Sequence, residues 1–266
     1  MAIIWVGTGR FSAAPLWTPA AITTALWLDA ADASTITESG GVVSQWGDKS
    51  GNGRSASQSD SLLRPTFSSS AFNSKQSIVF SGSSNSRLLG TGTGLSTVAS
   101  IFVAAQDTGS TSAIAGIYTS GAENVGGSFG LQRTTGNVAL VDGVGAAPTN
   151  SANTTSAISQ PTVLSAVYTQ ASTSGSSIFF NGALEESFTG AGVSVNINPP
   201  NFQIGGRTQG TQPLRVFKGN ISEVILLAAS ASADTRQRIE GYLAHKWGLS
   251  ANLPADHPYK SAAPTL

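Results

Sequence analysis

Short runs of β-branched and aromatic residues, each closed off by Gly, Ser or Asn, leave this chain few architectures to choose from. TALWLDA at 24–30, SIVF at 77–80, VASIFVAA at 98–105, FGLQRT at 129–134, VALVDG at 138–143, TVLSAVYT at 162–169, SSIFFNGALEESF at 176–188, FQIGG at 202–206 and ISEVILLAA at 221–229 all read as strands. Within the seventh run, Asn181-Gly182 separates two apolar stretches, and both residues tolerate the positive φ that a type I′ hairpin turn requires. Many short strands with a turn between each pair predict an all-β, two-sheet jelly-roll sandwich, and 266 residues suit one such domain.

One segment breaks the pattern. SADTRQRIEGYLAHKWGL puts Ile239, Tyr242, Leu243 and Trp247 on one face at a spacing of three to four, which predicts a helix over 233–247. Ser232 or Asp234 can cap its start, and Gly248 can end it. The Pro-rich stretch 250–266 is an irregular tail lying over the surface. Residues 1–24 carry Trp5, Phe11 and Trp17 without periodicity, so they form an arm that either folds back on its own sandwich or binds a partner subunit.

Composition narrows the function. Charged residues make up 11% of the chain and the net charge is zero, with no basic stripe, so nucleic acid is not an expected partner. The absence of cysteine removes disulfides, thiolate chemistry and Cys-based zinc sites. No apolar run approaches the ~18 residues of a membrane helix, so no membrane insertion is expected. The N-terminus lacks the basic start of a signal peptide.

The loop WGDKSGNG offers the best candidate ligand site. Asp48, Ser50 and Asn52 alternate ahead of Gly53, as calcium ligands do at the start of an EF-hand loop. Position twelve is Ser59 instead of a carboxylate, and the flanks read as strands, so this is no EF-hand. Two readings stay open: an Asx turn, or a weak calcium site built on Asp48, Asn52 and either Asp60 or a distant carbonyl, so the metal is unknown and no other cofactor is expected. Trp46, just ahead of the turn, is a ligand-stacking candidate or a core residue. Glu185 and Glu186 are adjacent on a strand and point to opposite faces, unlike the alternating carboxylates of a glycosidase. Asp29 and Asp32 have no partner in sequence. His245 and His257 have neither metal-ligand spacing nor a nucleophile motif, and the glycine clusters at 90–94 and 126–130 lack a P-loop ending. These features predict no catalysis; three acidic side chains gathered in one groove would overturn that expectation.

The order of the pieces resembles the concanavalin A-like, laminin-G-like jelly rolls over residues 25–249. LWLDAADASTI, QWGDKSGNGRSASQ, RPTF, SIVFSG and TVASIFVAA match in order, and FQIGGR followed by FKGNISEVILLAAS carries the family's F-x-G-x-I-x-E strand before a short helix. The fuller pattern, from WLDAADAST to HKWGLSANLPADHPY, is similar to domains of bacteriophage virion proteins and of bacterial surface or secreted proteins. The resemblance implies a non-enzymatic protein of the virion exterior, a capsid decoration or fibre component. Its partners would be other virion proteins, its own copies in a homo-oligomer such as a trimer, and a host surface glycan. The alternative is a carbohydrate-binding module or adhesin of a bacterial surface.

Overall fold

A computed structural model describes residues 14–83, 86–95, 98–111, 114–121, 128–134, 137–144, 147–169, 176–188, 200–209 and 212–266. In its first half the strands are β1 (Leu26–Asp29), β2 (Ile36–Ser39), β3 (Val42–Trp46), β4 (Ala56–Ser57), β5 (Thr66–Phe72), β6 (Lys75–Ser81), β7 (Leu88–Thr91), β8 (Val98–Asp107) and β9 (Ile114–Ser120). There follow β10 (Ser128–Thr134), β11 (Asn137–Val144), β12 (Ala147–Asn153), β13 (Thr162–Thr169), β14 (Ser176–Phe180), β15 (Ala183–Phe188), β16 (Asn201–Ile204), β17 (Gly206–Gln209), β18 (Gln212–Val216) and β19 (Lys218–Leu227). The helix α1 (Ala233–Lys246) comes last.

Every pairing is antiparallel, and the fold is an all-β sandwich. One layer runs β15-β14-β13-β8-β19, with β6 and β1 sharing the far side of β19. The other runs β12-β11-β10-β9-β16-β7. Single pairings, Val42 with Thr66 and Ser57 with Leu89, join the β2-β3-β4 ribbon to both layers along one edge. The layers meet through rings such as Phe129 on β10 and Tyr168 on β13, whose centroids lie 5.6 Å apart.

VASIFVAA and ISEVILLAA are continuous apolar runs because β8 and β19 are buried on both faces, by the second layer on one side and by α1 and the tail on the other. Gly219, the glycine of the F-x-G-x-I-x-E strand, sits so close to the Gln106 carbonyl that no side chain fits. At the hairpin, Asn181 and Gly182 take φ of 50° and 82°, the left-handed pair that the sequence predicts.

Ser232 caps α1 by accepting from the Thr235 N–H at 3.1 Å, and Gly248 ends it at φ 73°. The expected stripe of Ile239, Tyr242, Leu243 and Trp247 is buried, and so is Glu240. The tail crosses α1 closely enough that Tyr259 occupies the space a side chain at Gly241 would need. His245 Nε2 bonds the Tyr259 carbonyl at 2.8 Å.

The arm expected over residues 1–24 meets its own domain by residue 16. Leu16 bridges to Thr265, the Trp17 N–H donates to the Pro264 carbonyl at 2.9 Å, and the Trp17 ring packs edge-on against Tyr242. Trp17 is 3% exposed, so this ring, expected on a partner-binding arm, is part of the domain body. Trp5 and Phe11 lie outside the described residues.

Candidate functional site

The loop after β3 is built around one carboxylate. Asp48 Oδ1 accepts the backbone N–H of Trp27 at 3.0 Å and of Ser50 at 2.9 Å. Oδ2 accepts the Ser50 hydroxyl at 2.7 Å and the Arg54 N–H at 2.9 Å. Asn52 Nδ2 donates to the carbonyls of Thr24 at 2.9 Å and Ala25 at 3.2 Å. The loop is therefore an Asx turn that clasps the start of β1. Calcium does not fit it: the ion takes six to eight oxygens, while here both Asp48 oxygens already hold N–H or O–H donors and Asn52 presents its amide nitrogen. Trp46 is fully buried in the core and offers no ring face to a ligand. Asp60 caps the turn at 61–63 by accepting from the Leu62 N–H.

The rim beside this loop is open. A cavity of about 280 Å³ is lined by Thr23, Thr24, Ala25, Asn52, Arg54, Gly94, Ala228 and Ala229. Asn52 is the one sequence candidate that reaches it. Arg54 and Thr23 were not legible as site residues, because neither carries a motif.

Three acidic side chains do gather, but beneath α1. Glu223, fully buried on β19, accepts from Trp27 Nε1 at 2.8 Å, Trp247 Nε1 at 2.8 Å, the Tyr242 hydroxyl at 2.9 Å and Lys246 Nζ at 2.8 Å. Lys246 also meets Asp29 at 2.6 Å, and Lys49 bridges Asp29 at 2.9 Å to Asp32 at 2.8 Å. Burial pushes the Glu223 carboxyl up against the opposing pull of Lys246. Lys49 and Ser34 hold Asp32 down at about 2. Burial pulls the Lys49 ammonium down, but Asp32 and Asp29 outweigh it and keep it above its ordinary value. Burial likewise raises the Tyr242 hydroxyl, helped by Glu223, so it remains a donor. Neither the rim cavity nor the apolar groove at Trp17 and Pro264 is lined by any of the three acids. Two ammonium groups are shared among these three acids, and the cluster pins the helix to β1 and β19.

A second buried acid closes the tail. Glu240 accepts from Arg236 at 2.7 Å, from the Ser165 hydroxyl and from His257 Nε2 at 3.3 Å. The Tyr259 N–H donates to His257 Nδ1, so Nε2 carries the ring proton toward Glu240. Ser165 and His257 thus meet the acid and not each other, the wrong connectivity for an activated serine. Glu185 accepts from Thr155 and Ser156 on the loop after β12. Burial raises this carboxyl, but those bonds outweigh it and hold it below the usual range.

No protein-family model matches the sequence, and no curated protein matches it. Solved structures share the fold. The binding domain of botulinum neurotoxin serotype D superposes with a TM-score of 0.58 at 12% identity, over 82% of this chain and 51% of that one. The serotype G binding domain gives 0.56 at 12% identity, over 86% and 51%. A serotype D ligand-binding domain in complex with N-acetylneuraminic acid gives 0.53 at 10% identity, over 82% and 50%. The chain spans about half the length of these domains, and at such identity the likeness is one of fold. Among the described residues, no helix is long and apolar enough to cross a membrane.

Proposed function

We propose that this protein is a non-enzymatic carbohydrate-binding module presented at a surface, with the rim cavity as its sugar site. The observation that carries this reading is the contrast between the two kinds of polar group. The buried carboxylates Asp29, Glu223 and Glu240 are each engaged by internal donors, whereas Arg54, Asn52 and Thr23 line a cavity open to solvent. Convergent polar groups around a small apolar floor are what a binding pocket needs. Fold alone does not assign a function, but the neurotoxin domains, one of them holding N-acetylneuraminic acid, show that such a sandwich can serve in recognition.

The narrower setting we propose is the exterior of a virion, as a decoration or fibre component in a homo-oligomer, on the strength of the sequence resemblance. A glycan array probed with the full chain tests the binding reading: reproducible capture of a defined glycan supports it, and a blank array refutes it. Deleting residues 1–13, which spares the Trp17 contact, tests whether the arm attaches the domain to its own copies or to other virion proteins.

A further inference from the structure

The rim cavity carries one formal charge, and that charge is positive. Arg54 Nη1 donates to the Ala25 carbonyl at 2.6 Å, and among the described residues no carboxylate pairs with its guanidinium. Asp48, on the same loop, is turned to the backbone N–H groups of Trp27, Ser50 and Arg54 and to the Ser50 hydroxyl. The guanidinium is seated by the turn after β7. Gly94 has φ 66°, and a Cβ there would lie 2.5 Å from Nη2 and 2.8 Å from Nη1, so the turn is bare where the arginine lies against it. Half-buried and held at one end, the group loses little further freedom when it binds.

We propose that the rim cavity takes a single sugar unit bearing a carboxylate, with Arg54 on the carboxylate and with Asn52 and Thr23 on its hydroxyls. This rests on the carbohydrate-binding reading and gives it a ligand class. A guanidinium presents parallel N–H donors in a fixed fork that matches a carboxylate, a stronger contact than neutral hydrogen bonds supply. The volume of about 280 Å³ lies just below the roughly 300–1,000 Å³ range of small-molecule pockets, which suits one ring better than a chain of them. Ala25, Ala228 and Ala229 supply a floor of methyl groups that leaves that room open.

The test is calorimetric titration of the full chain with the methyl glycosides of N-acetylneuraminic acid and glucuronic acid, their carboxyl methyl esters, a sulfated hexose and neutral N-acetylglucosamine. The acids are expected to bind about tenfold or more tighter than their esters. The preference is expected to shrink at high salt, because the cavity is open to solvent. Esterification removes the charge without touching the protein, so the result does not depend on any variant folding. On the protein side, Thr23→Glu puts a carboxylate at an exposed position of the cavity lining and is expected to weaken the acids more than the esters, which lose only the Thr23 contact. Acid and ester bound equally would overturn the inference and leave the carbohydrate reading standing. No binding of any sugar would overturn both. A sulfated hexose bound as tightly as the acids would overturn the carboxylate assignment in favour of a general anion site.

Discussion

Glu223→Gln is the sharpest test of how this sandwich holds its helix. The wild-type carboxylate receives four donors, two indole N–H groups, one phenol and one ammonium, at 2.8–2.9 Å with no exposure to water. A glutamine keeps the shape but turns one acceptor oxygen into an NH₂ group that faces donors. One or two of the four then lose their acceptor, at about 1–3 kcal/mol for each buried group left unsatisfied. Lys246 keeps Asp29 but loses Glu223, and removing one member of a buried ion pair costs about 3–5 kcal/mol. These costs overlap, so the expected loss is about 3–5 kcal/mol in total. Urea unfolding at pH 7, followed by tryptophan fluorescence, measures it, and two of the reporting rings, Trp27 and Trp247, bond the carboxylate itself. A loss below about 1 kcal/mol with an unchanged denaturant slope would refute the argument, because it would mean that apolar packing alone seats α1.

Two further perturbations address the edges of the fold. Asp32 is held at about 2, below its ordinary 3.8, so its bond to Lys49 stabilises the fold above about pH 4, and that contribution disappears as the pH falls toward 2. Asp32→Asn should therefore melt slightly below wild type at pH 6, by about 1 kcal/mol or less for a carboxylate still a third exposed, and converge on wild type as the pH falls through about 2; an undiminished gap at pH 2 would refute this. Gly182→Ala forces a left-handed residue and brings a Cβ within 3.1 Å of His257, so it should cost about 1–2 kcal/mol and speed amide exchange over residues 254–260; unchanged exchange there would show that the turn does not support the tail.

Much of the sandwich was legible because its strands announce themselves by composition. The nine quoted runs all coincide with strands, the Asn-Gly turn has the expected handedness, and the helix starts and stops at Ser232 and Gly248. Most of the strands outside those runs are polar or short, with β9, IAGIYTS, the buried exception. β5 is TFSSSAF and β12 is APTNSAN, and serine, threonine and asparagine in such runs read as loop unless a neighbouring strand supplies the pairing. Glu223 was visible as the acid of the F-x-G-x-I-x-E strand, yet nothing local says that two tryptophans and a lysine, 23 or more positions away on either side, converge on it; Trp27 is 196 residues distant. Glu240 was missed for the opposite reason: a glutamate one turn after an arginine reads as an exposed helix pair, and only the tail crossing above it makes it buried. Asp48 and Asn52 looked like metal ligands because the same short oxygen-bearing side chains that bind cations also close Asx turns, and only the direction of each hydrogen bond separates the two.

The low charge of the sequence acquires a different meaning once the pairs are placed. Fourteen acids and fourteen bases in 266 residues would be a thin coat for a protein surface. Several of them are turned inward: Asp29, Lys49, Lys246 and Glu223 tie β1 and the loop after β3 to the helix, Glu240 and Arg236 hold the tail, and Asp107 meets Arg133 at 2.9 Å. Each such pair fixes the direction of a helix or loop more than it adds to stability, since desolvation offsets much of the attraction. Internal pairing also quiets the field outside, because paired charges largely cancel and the remainder is screened beyond a Debye length of about 8 Å in physiological salt. Against that background the Arg54 guanidinium, which has no carboxylate partner among the described residues, is a local positive site at the rim. Arg64 and Lys260 likewise bond carbonyls and no carboxylate among the described residues, so what sets Arg54 apart for an anionic ligand is its place in the lining of a cavity.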